Sequence, residues 1–288
     1  MGRVVYTRGE LAALVPHPAA DANKYTRGKL VCVVGSARYT GSACLCACAS
    51  ERMGAGYTHV FTHPEALALV RRASSSLVAQ PFGELEDAHL SPRSPSRPLA
   101  VLAGCGFQGG DPDEALLLGR VLDGACCPVC VDGSALGLLA ERRFREALAR
   151  RAERGFATVL TPHGGEAARL AEGASVAADA VALARSYRSV VVLKGPVTCV
   201  SDGERFADMD QGTPALAKAG TGDVLAGMVG ALLAQGLGAF EAGVLAATLH
   251  ALAGQAAAAD LGVVSVSADD LPLRIPQAIT ALGTAFRA

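Results

Sequence analysis

Gly220-Thr221-Gly222-Asp223 is the stretch of this chain best suited to chemistry. Its glycines lead into an unbroken apolar run, Val224 to Ala234, too long for an ordinary strand and apolar all round. That is the pattern of a buried helix, stopped by Gly236. A helix start offers unpaired backbone N–H groups and the positive end of the helix dipole. Glycines there admit a ligand close to the backbone, and the combination suits an anion such as phosphate. Asp223 is the one acid in this apolar setting. It stands where a carboxylate could take the proton of a hydroxyl as a phosphoryl group arrives. An Asp in a first helical turn also serves simply to match the dipole and cap N–H groups, and the motif alone leaves both readings open. Because a helix N-terminus lowers a carboxylate pKa, Asp223 is expected to be a weak base that works by position.

Other candidates sit at strand ends. Lys194-Gly195 closes an apolar strand, where a lysine can meet phosphate oxygens. His163 follows Pro162 in a glycine-bearing turn with Glu166 three residues on; it would either contact a substrate or start a helix. Gly104-Cys105-Gly106-Phe107-Gln108-Gly109 matches G-x-G-x-x-G, but on the third strand rather than at the opening of the fold, so a tight turn beside a ligand is expected instead of a dinucleotide fingerprint. Cys127-Pro128-Val129-Cys130 runs into strand residues, which favours packing over redox chemistry. Cys44, Cys46 and Cys48 alternate on a helix and cannot all face one metal, and no second C-x-x-C completes a zinc site, so no protein metal site is expected. Walker A, G-x-S-x-G and paired-carboxylate patterns are missing from the sequence.

The elements that must position these residues alternate. Strands are expected at Leu30–Val34, Tyr57–Phe61, Leu99–Ala103, Pro128–Val131, Ala157–Leu160 and Val190–Leu193, with helices between them. Residues 62 to 98 read as less regular, with no strand or helix assigned and a Ser/Pro/Arg loop at 91 to 98. Asp202-Gly203 signals a hairpin between Val197–Val200 and Arg205–Met209. An Ala-rich helix is expected over about Phe240 to Ala259, then a short helix near Ala268–Leu271 and a last one at the end. Such alternation with buried apolar strands predicts an α/β fold with a mostly parallel sheet covered on both faces. Ligands would bind at the strands' carboxyl ends, where Gly35, Gly104, Asp132, Thr161, Lys194 and the Gly220 turn would gather.

Composition narrows the classes. The chain has 288 residues, 51% hydrophobic and 18% charged, with net charge −1, aromatic content of 5% and no Trp. Neither a basic block nor a stacking platform is present, which argues against nucleic acid or an anionic membrane surface as partner. The start lacks the apolar core of a signal peptide and the Val224 helix is too short to span a bilayer, so a cytoplasmic protein is expected. Nine cysteines fit a reducing compartment.

Taken in order, Thr40-Gly41-Ser42-Ala43, Val101-Leu102-Ala103-Gly104-Cys105-Gly106, Val131-Asp132-Gly133, Leu160 to Glu166, Leu193-Lys194-Gly195 and Ala217 to Leu225 resemble the blocks of NAD(P)H-hydrate dehydratases. These are ribokinase-like proteins, and the resemblance runs from about Lys24 to the C-terminus. It implies a three-layer α/β/α ribokinase-like fold in a single domain over residues 1–288. It implies ADP- or ATP-dependent dehydration of the S epimer of hydrated NADH or NADPH, by phosphorylation of the added hydroxyl and loss of phosphate. Asp223 would activate the hydroxyl. Ala43, Gly106, His163 and Asp223 would contact the hydrate. Lys194, Gly195, Pro196, Val197 and Thr198 would line the nucleotide site, with Gly220, Thr221 and Gly222 at the transferred phosphoryl group. Mg2+ would bridge phosphate oxygens. The family resemblance further implies a homo-oligomer, a tetramer, and leaves any epimerase to a separate protein.

Cys105 and Gly164 stand where the resembled family commonly has proline, and Gln108 where a third glycine is usual. These departures bear on the substrate contacts more than on Asp223. A ribokinase-like kinase of a vitamin-precursor alcohol and a non-catalytic nucleotide-binding protein are the competing expectations; the Thr161–Glu166 turn and the Ala43 block favour the dehydratase, and Asp223 argues against a catalytically silent protein.

Overall fold

In a computed structural model of the chain, residues 2–283 are described. Their strands form one sheet: β1 (Gly2–Arg3), β2 (Lys29–Val33), β3 (Tyr57–Thr62), β4 (Val78–Pro81), β5 (Leu99–Ala103), β6 (Val129–Val131), β7 (Thr158–Leu160), β8 (Val190–Leu193), β9 (Thr198–Ser201) and β10 (Arg205–Met209). The spatial order is β1-β10-β9-β8-β7-β6-β5-β2-β3-β4, and β9 alone runs antiparallel to its neighbours. The helices are α1 (Arg8–Ala13), α2 (Thr40–Arg52), α3 (Pro64–Ala73), α4 (Pro112–Gly124), α5 (Ala135–Leu138), α6 (Arg142–Glu153), α7 (Gly164–Ala174), α8 (Ala180–Tyr187), α9 (Thr221–Ala234), α10 (Ala239–Leu261) and α11 (Asp270–Ala281).

The central strands are apolar on both sides because both sides are covered. Leu30, Cys32 and Val34 face one core, with α2, α9, α10 and α11; Val31 and Val33 face the other, with α4 to α8. The α/β three-layer architecture expected from the alternation is therefore present. Small residues set its tightest contact: a Cβ on Gly227 of α9 would lie 2.2 Å from the Cys46 carbonyl oxygen of α2. The two helices touch backbone to backbone there. Among the described residues α10 is the one helix long and apolar enough to cross a membrane, and 72% of that apolar window is buried inside the molecule, so it is a core helix.

Two expectations are corrected. Residues 62–98 are not irregular throughout: they contain α3 and β4. His63 caps α3 by accepting from the Glu65 N–H, and Pro64 occupies the first turn, where a missing N–H costs nothing. At the other end, α11 is one helix with Pro276 inside it, starting at Asp270, where a short helix near Ala268–Leu271 and a separate last one were expected. The end of that expected last helix, residues 284–288, lies outside the described residues.

The sheet positions the site through its connectivity. β2 lies between β3 and β5, so the chain leaves β2 toward one edge and returns on its other side. The connections leaving β2 and β5 run to opposite sides of the sheet, and at such a switch point open α/β sheets offer a ligand crevice at the strands' carboxyl ends. Gly35 N–H donates to the Cys105 carbonyl at 2.7 Å and stitches those two loops together.

Candidate active site

α9 starts at the floor of this crevice. Gly220 is its N-cap with φ of +89°, and a Cβ there would meet Leu45 Cδ1 at 2.7 Å, so both conformation and space demand glycine. The Thr221 hydroxyl donates to the Leu216 and Lys218 carbonyls at 2.8 and 2.9 Å and fixes the incoming loop. The first-turn N–H groups of Gly222 and Asp223 are left as donors for an anion.

Lys194, just past β8, reaches the same place. A Cβ on Gly222 would stand 3.1 Å from Lys194 Nζ, so the ammonium lies directly over the bare turn. Its partners are Asp132 Oδ1 at 2.8 Å and Glu166 Oε2 at 3.8 Å. Burial works to lower the lysine pKa, but the two carboxylates outweigh it and the net direction is up, so Lys194 is a fixed cation. Burial pushes Glu166 up, against the pull of Lys194. Asp132, 2% exposed, also accepts from the Thr161 hydroxyl at 2.6 Å.

Asp223 is where the sequence expectation fails. Its pKa is pushed up to about 6, not down: burial acts first and the charge of Asp132 second, against hydrogen bonds from Ser42 and Cys105 and the charge of Lys194. Desolvation by the apolar layers outweighs the helix N-terminus. Asp223 is thus a stronger base than a surface carboxylate and still mostly ionised at neutral pH.

The other expected residues divide. Gly106, with φ of +73°, packs against α2: a Cβ would lie 2.7 Å from that of Ser42 and 2.9 Å from the Tyr39 carbonyl. The β5 loop and the start of α2 thus meet beside Asp223. The G-x-G-x-x-G turn does not open a helix directly; α4 begins only at Pro112. Ala43 is in the right place, but its methyl is fully buried under Gly35. His163 caps α7: its Nδ1 accepts from the Gly165 N–H at 3.0 Å and Glu166 Oε2 accepts from the His163 N–H at 2.8 Å. Its exposed ring lies beside Glu166, with Nε2 3.6 Å from Oε1, and its backbone pairs with that of Lys194. Gly195, Pro196 and Val197 form the β8–β9 turn and Thr198 begins β9.

Four residues gained importance only in three dimensions. Ser42 bonds Asp223. Asp132 and Glu166 hold Lys194. Glu114 of α4, 4% exposed, accepts from the Gln108 N–H at 2.8 Å and the Gly109 N–H at 3.1 Å, clamping the loop that carries Gly106. Their signal in the sequence is an acid at a strand end or in a helical first turn, or for Ser42 a hydroxyl in a helical first turn, too common to assign these roles.

Ligand atoms of Cys105, Asp132 and Asp223 lie within 4.8 Å of one another. For magnesium, which takes oxygen ligands and keeps waters, the thiol contributes nothing and Asp132 Oδ1 is already engaged. A magnesium ion here would have to be carried chiefly by phosphate oxygens, with Asp132 as the carboxylate available to it.

A family model described as NAD(P)H-hydrate dehydratase matches residues 30–277. An ADP-dependent (S)-NAD(P)H-hydrate dehydratase of Xanthomonas campestris pv. campestris is 32% identical over 275 residues, covering 91% of each chain. A bifunctional NAD(P)H-hydrate repair enzyme of Thermofilum pendens is 34% identical over 296 residues; 94% of this chain is covered but only 53% of that one, so the match spans about half of the bifunctional relative. The structure of the ADP/ATP-dependent NAD(P)H-hydrate dehydratase of Bacillus subtilis, co-crystallised with ATP/Mg2+, superposes with a TM-score of 0.80 at 23% identity, covering 96% of this chain and 97% of that one. That likeness concerns the fold.

Proposed function

The chain belongs to the NAD(P)H-hydrate dehydratase family, and from that premise we propose how its crevice performs the ADP- or ATP-dependent dehydration of (S)-NAD(P)H-hydrate. The observation that carries the reading is the meeting of a fixed ammonium, Lys194, and a basic carboxylate, Asp223, over the bare first turn of α9.

The nucleotide lies along the β8–β9 turn, Lys194 to Thr198, with its terminal phosphoryl group over the N–H groups of Gly222 and Asp223. Lys194 meets the charge that builds on the phosphoryl oxygens, while Asp132 and Glu166 keep its head from swinging out. The hydrated ring enters between the Gly106 loop and the start of α2, and its hydroxyl faces Asp223. Asp223 accepts the hydroxyl proton as the O–P bond forms and the bond to the nucleotide breaks, so ADP yields AMP and ATP yields ADP. Phosphate then leaves with the C–O bond electrons, the adjacent ring carbon gives up a proton, and the double bond returns. Ser42 holds Asp223 in line. Magnesium, held by phosphate oxygens with Asp132 as its neighbour on the chain, would neutralise phosphate charge.

A tetrameric assembly and a cytoplasmic setting belong to this proposal, the first testable by light scattering. The activity itself is tested by incubating the S hydrate with ADP or ATP and following the return of dihydronicotinamide absorbance. Stable phosphorylation of a thiazole or pyrimidine alcohol, with no action on the hydrate, would replace the dehydratase by a kinase.

A further inference from the structure

We propose that Cys105, Asp132 and Asp223 form a binding site for a thiophilic divalent cation, zinc above all, and that its occupancy silences the enzyme. Cation binding stands on geometry alone; only the silencing rests on the role given to Asp223 above.

The ligand atoms are close to arranged. Cys105 Sγ lies 3.7 Å from Asp132 Oδ2, and the Asp223 carboxylate completes a triangle with no edge above 4.8 Å. Tetrahedral zinc, with Zn–S of about 2.3 Å and Zn–O of about 2.0 Å, sets sulfur and oxygen roughly 3.5 Å apart. The Cys105–Asp132 edge needs to close by only a few tenths of an ångström. Asp132 is held from behind, since Oδ1 takes hydrogen bonds from Thr161 at 2.6 Å and Lys194 at 2.8 Å while Oδ2 faces the thiol. Such outer support fixes a carboxylate ligand. The ammonium of Lys194 is shared between Asp132 and Glu166. The Asp223 charge is therefore left for an incoming cation. Cys105 and Asp132 are buried and Asp223 is partly exposed, so entry is from the Asp223 side.

The donor set selects the metal. Magnesium and calcium do not take a thiolate, whereas zinc, cobalt(II) and cadmium do. On binding, Cys105 Sγ–H releases its proton to the buffer as the sulfur–metal bond forms; one oxygen from each Asp and a water fill the other positions, with no change of oxidation state. The ligands come from three elements far apart in sequence, which is why spacing rules for zinc motifs pass over them. With Asp223 bound to metal, no base faces the hydroxyl.

The test uses the whole protein, stripped with a chelator and titrated with cobalt(II), then with zinc as competitor. One cobalt per chain with a thiolate-to-metal charge-transfer band, displaced by zinc, is expected. Cys105→Ala and Cys105→Ser should both lose the band and weaken zinc binding by at least about tenfold, and a Cys44→Ala/Cys48→Ala variant should keep both. In hydrate turnover, zinc should inhibit the parent and chelator reverse it, while whatever rate Cys105→Ala retains should not respond to zinc. A band that survives both Cys105 variants, one lost with Cys44 and Cys48, or none in the parent overturns the proposal. The spectra decide it even if the hydrate proves not to be the substrate.

Discussion

Replacing Asp223 by Asn should stabilise the ligand-free protein, and the gain should depend on pH. The carboxyl titrates at about 6 in the fold against 3.8 when free of its surroundings. For an acid whose folded pKa is raised, the ionised form is disfavoured by folding: the cost is complete above the folded value and fades as pH falls toward the unfolded one. Two pKa units at about 1.36 kcal/mol each set that cost near 3 kcal/mol at pH 8. The same linkage leaves roughly half of that at pH 5. Asn does not titrate and keeps an acceptor for Ser42, so pH-independent effects of the substitution cancel when the two pH values are compared. Urea unfolding of both proteins at pH 8 and pH 5 should show the Asn variant's relative stability falling by about 1 kcal/mol on acidification. An equal difference at both pH values would mean that Asp223 is an ordinary first-turn carboxylate, and the case for a raised, desolvated base would be lost.

The same titration predicts that kcat/KM for the hydrate falls about tenfold per pH unit below about 6, as Asp223 takes up its proton; a flat profile from pH 7 to 5 would exclude it as the base. Gly222→Ala places a methyl 3.1 Å from Lys194 Nζ and on the phosphate path, so KM for the nucleotide should rise roughly tenfold while KM for the hydrate holds. Glu114→Ala frees the Gln108 and Gly109 N–H groups; KM for the hydrate should rise about tenfold with nucleotide KM unchanged, and Glu114→Gln should recover part of it. Equal effects on both substrates would mark Glu114 as a stability residue only.

The sequence disclosed most of the frame because glycine and proline punctuate it and the central strands are continuously apolar. It misled where one signal had two uses. His63-Pro64 reads as the end of β3, yet the same pair caps α3. The short helix near Ala268–Leu271 and the last one read as separate, yet both belong to α11, which carries Pro272 in its opening turn and Pro276 inside it. In the site, Asp223, Lys194 and the Gly220 turn were legible because each has a local pattern. Asp132 was placed at the ligand edge but given no role, and Glu166 and Ser42 were given none either, since their roles lie in contacts between segments far apart in the chain. The pKa of Asp223 was misjudged for a related reason: the dipole is local and visible, whereas burial and the Asp132 charge come from the assembled layers.

The central claim is that one carboxylate, over a bare helix turn shared with Lys194, draws the proton from the hydroxyl that is phosphorylated. Single-turnover dehydration of the S hydrate by Asp223→Asn, beside equilibrium binding of ADP to the same protein, tests it most directly. A rate lower by about a thousandfold or more, with ADP affinity kept within about threefold, is the predicted result. Turnover at the parental rate in a variant that binds ADP normally would contradict it.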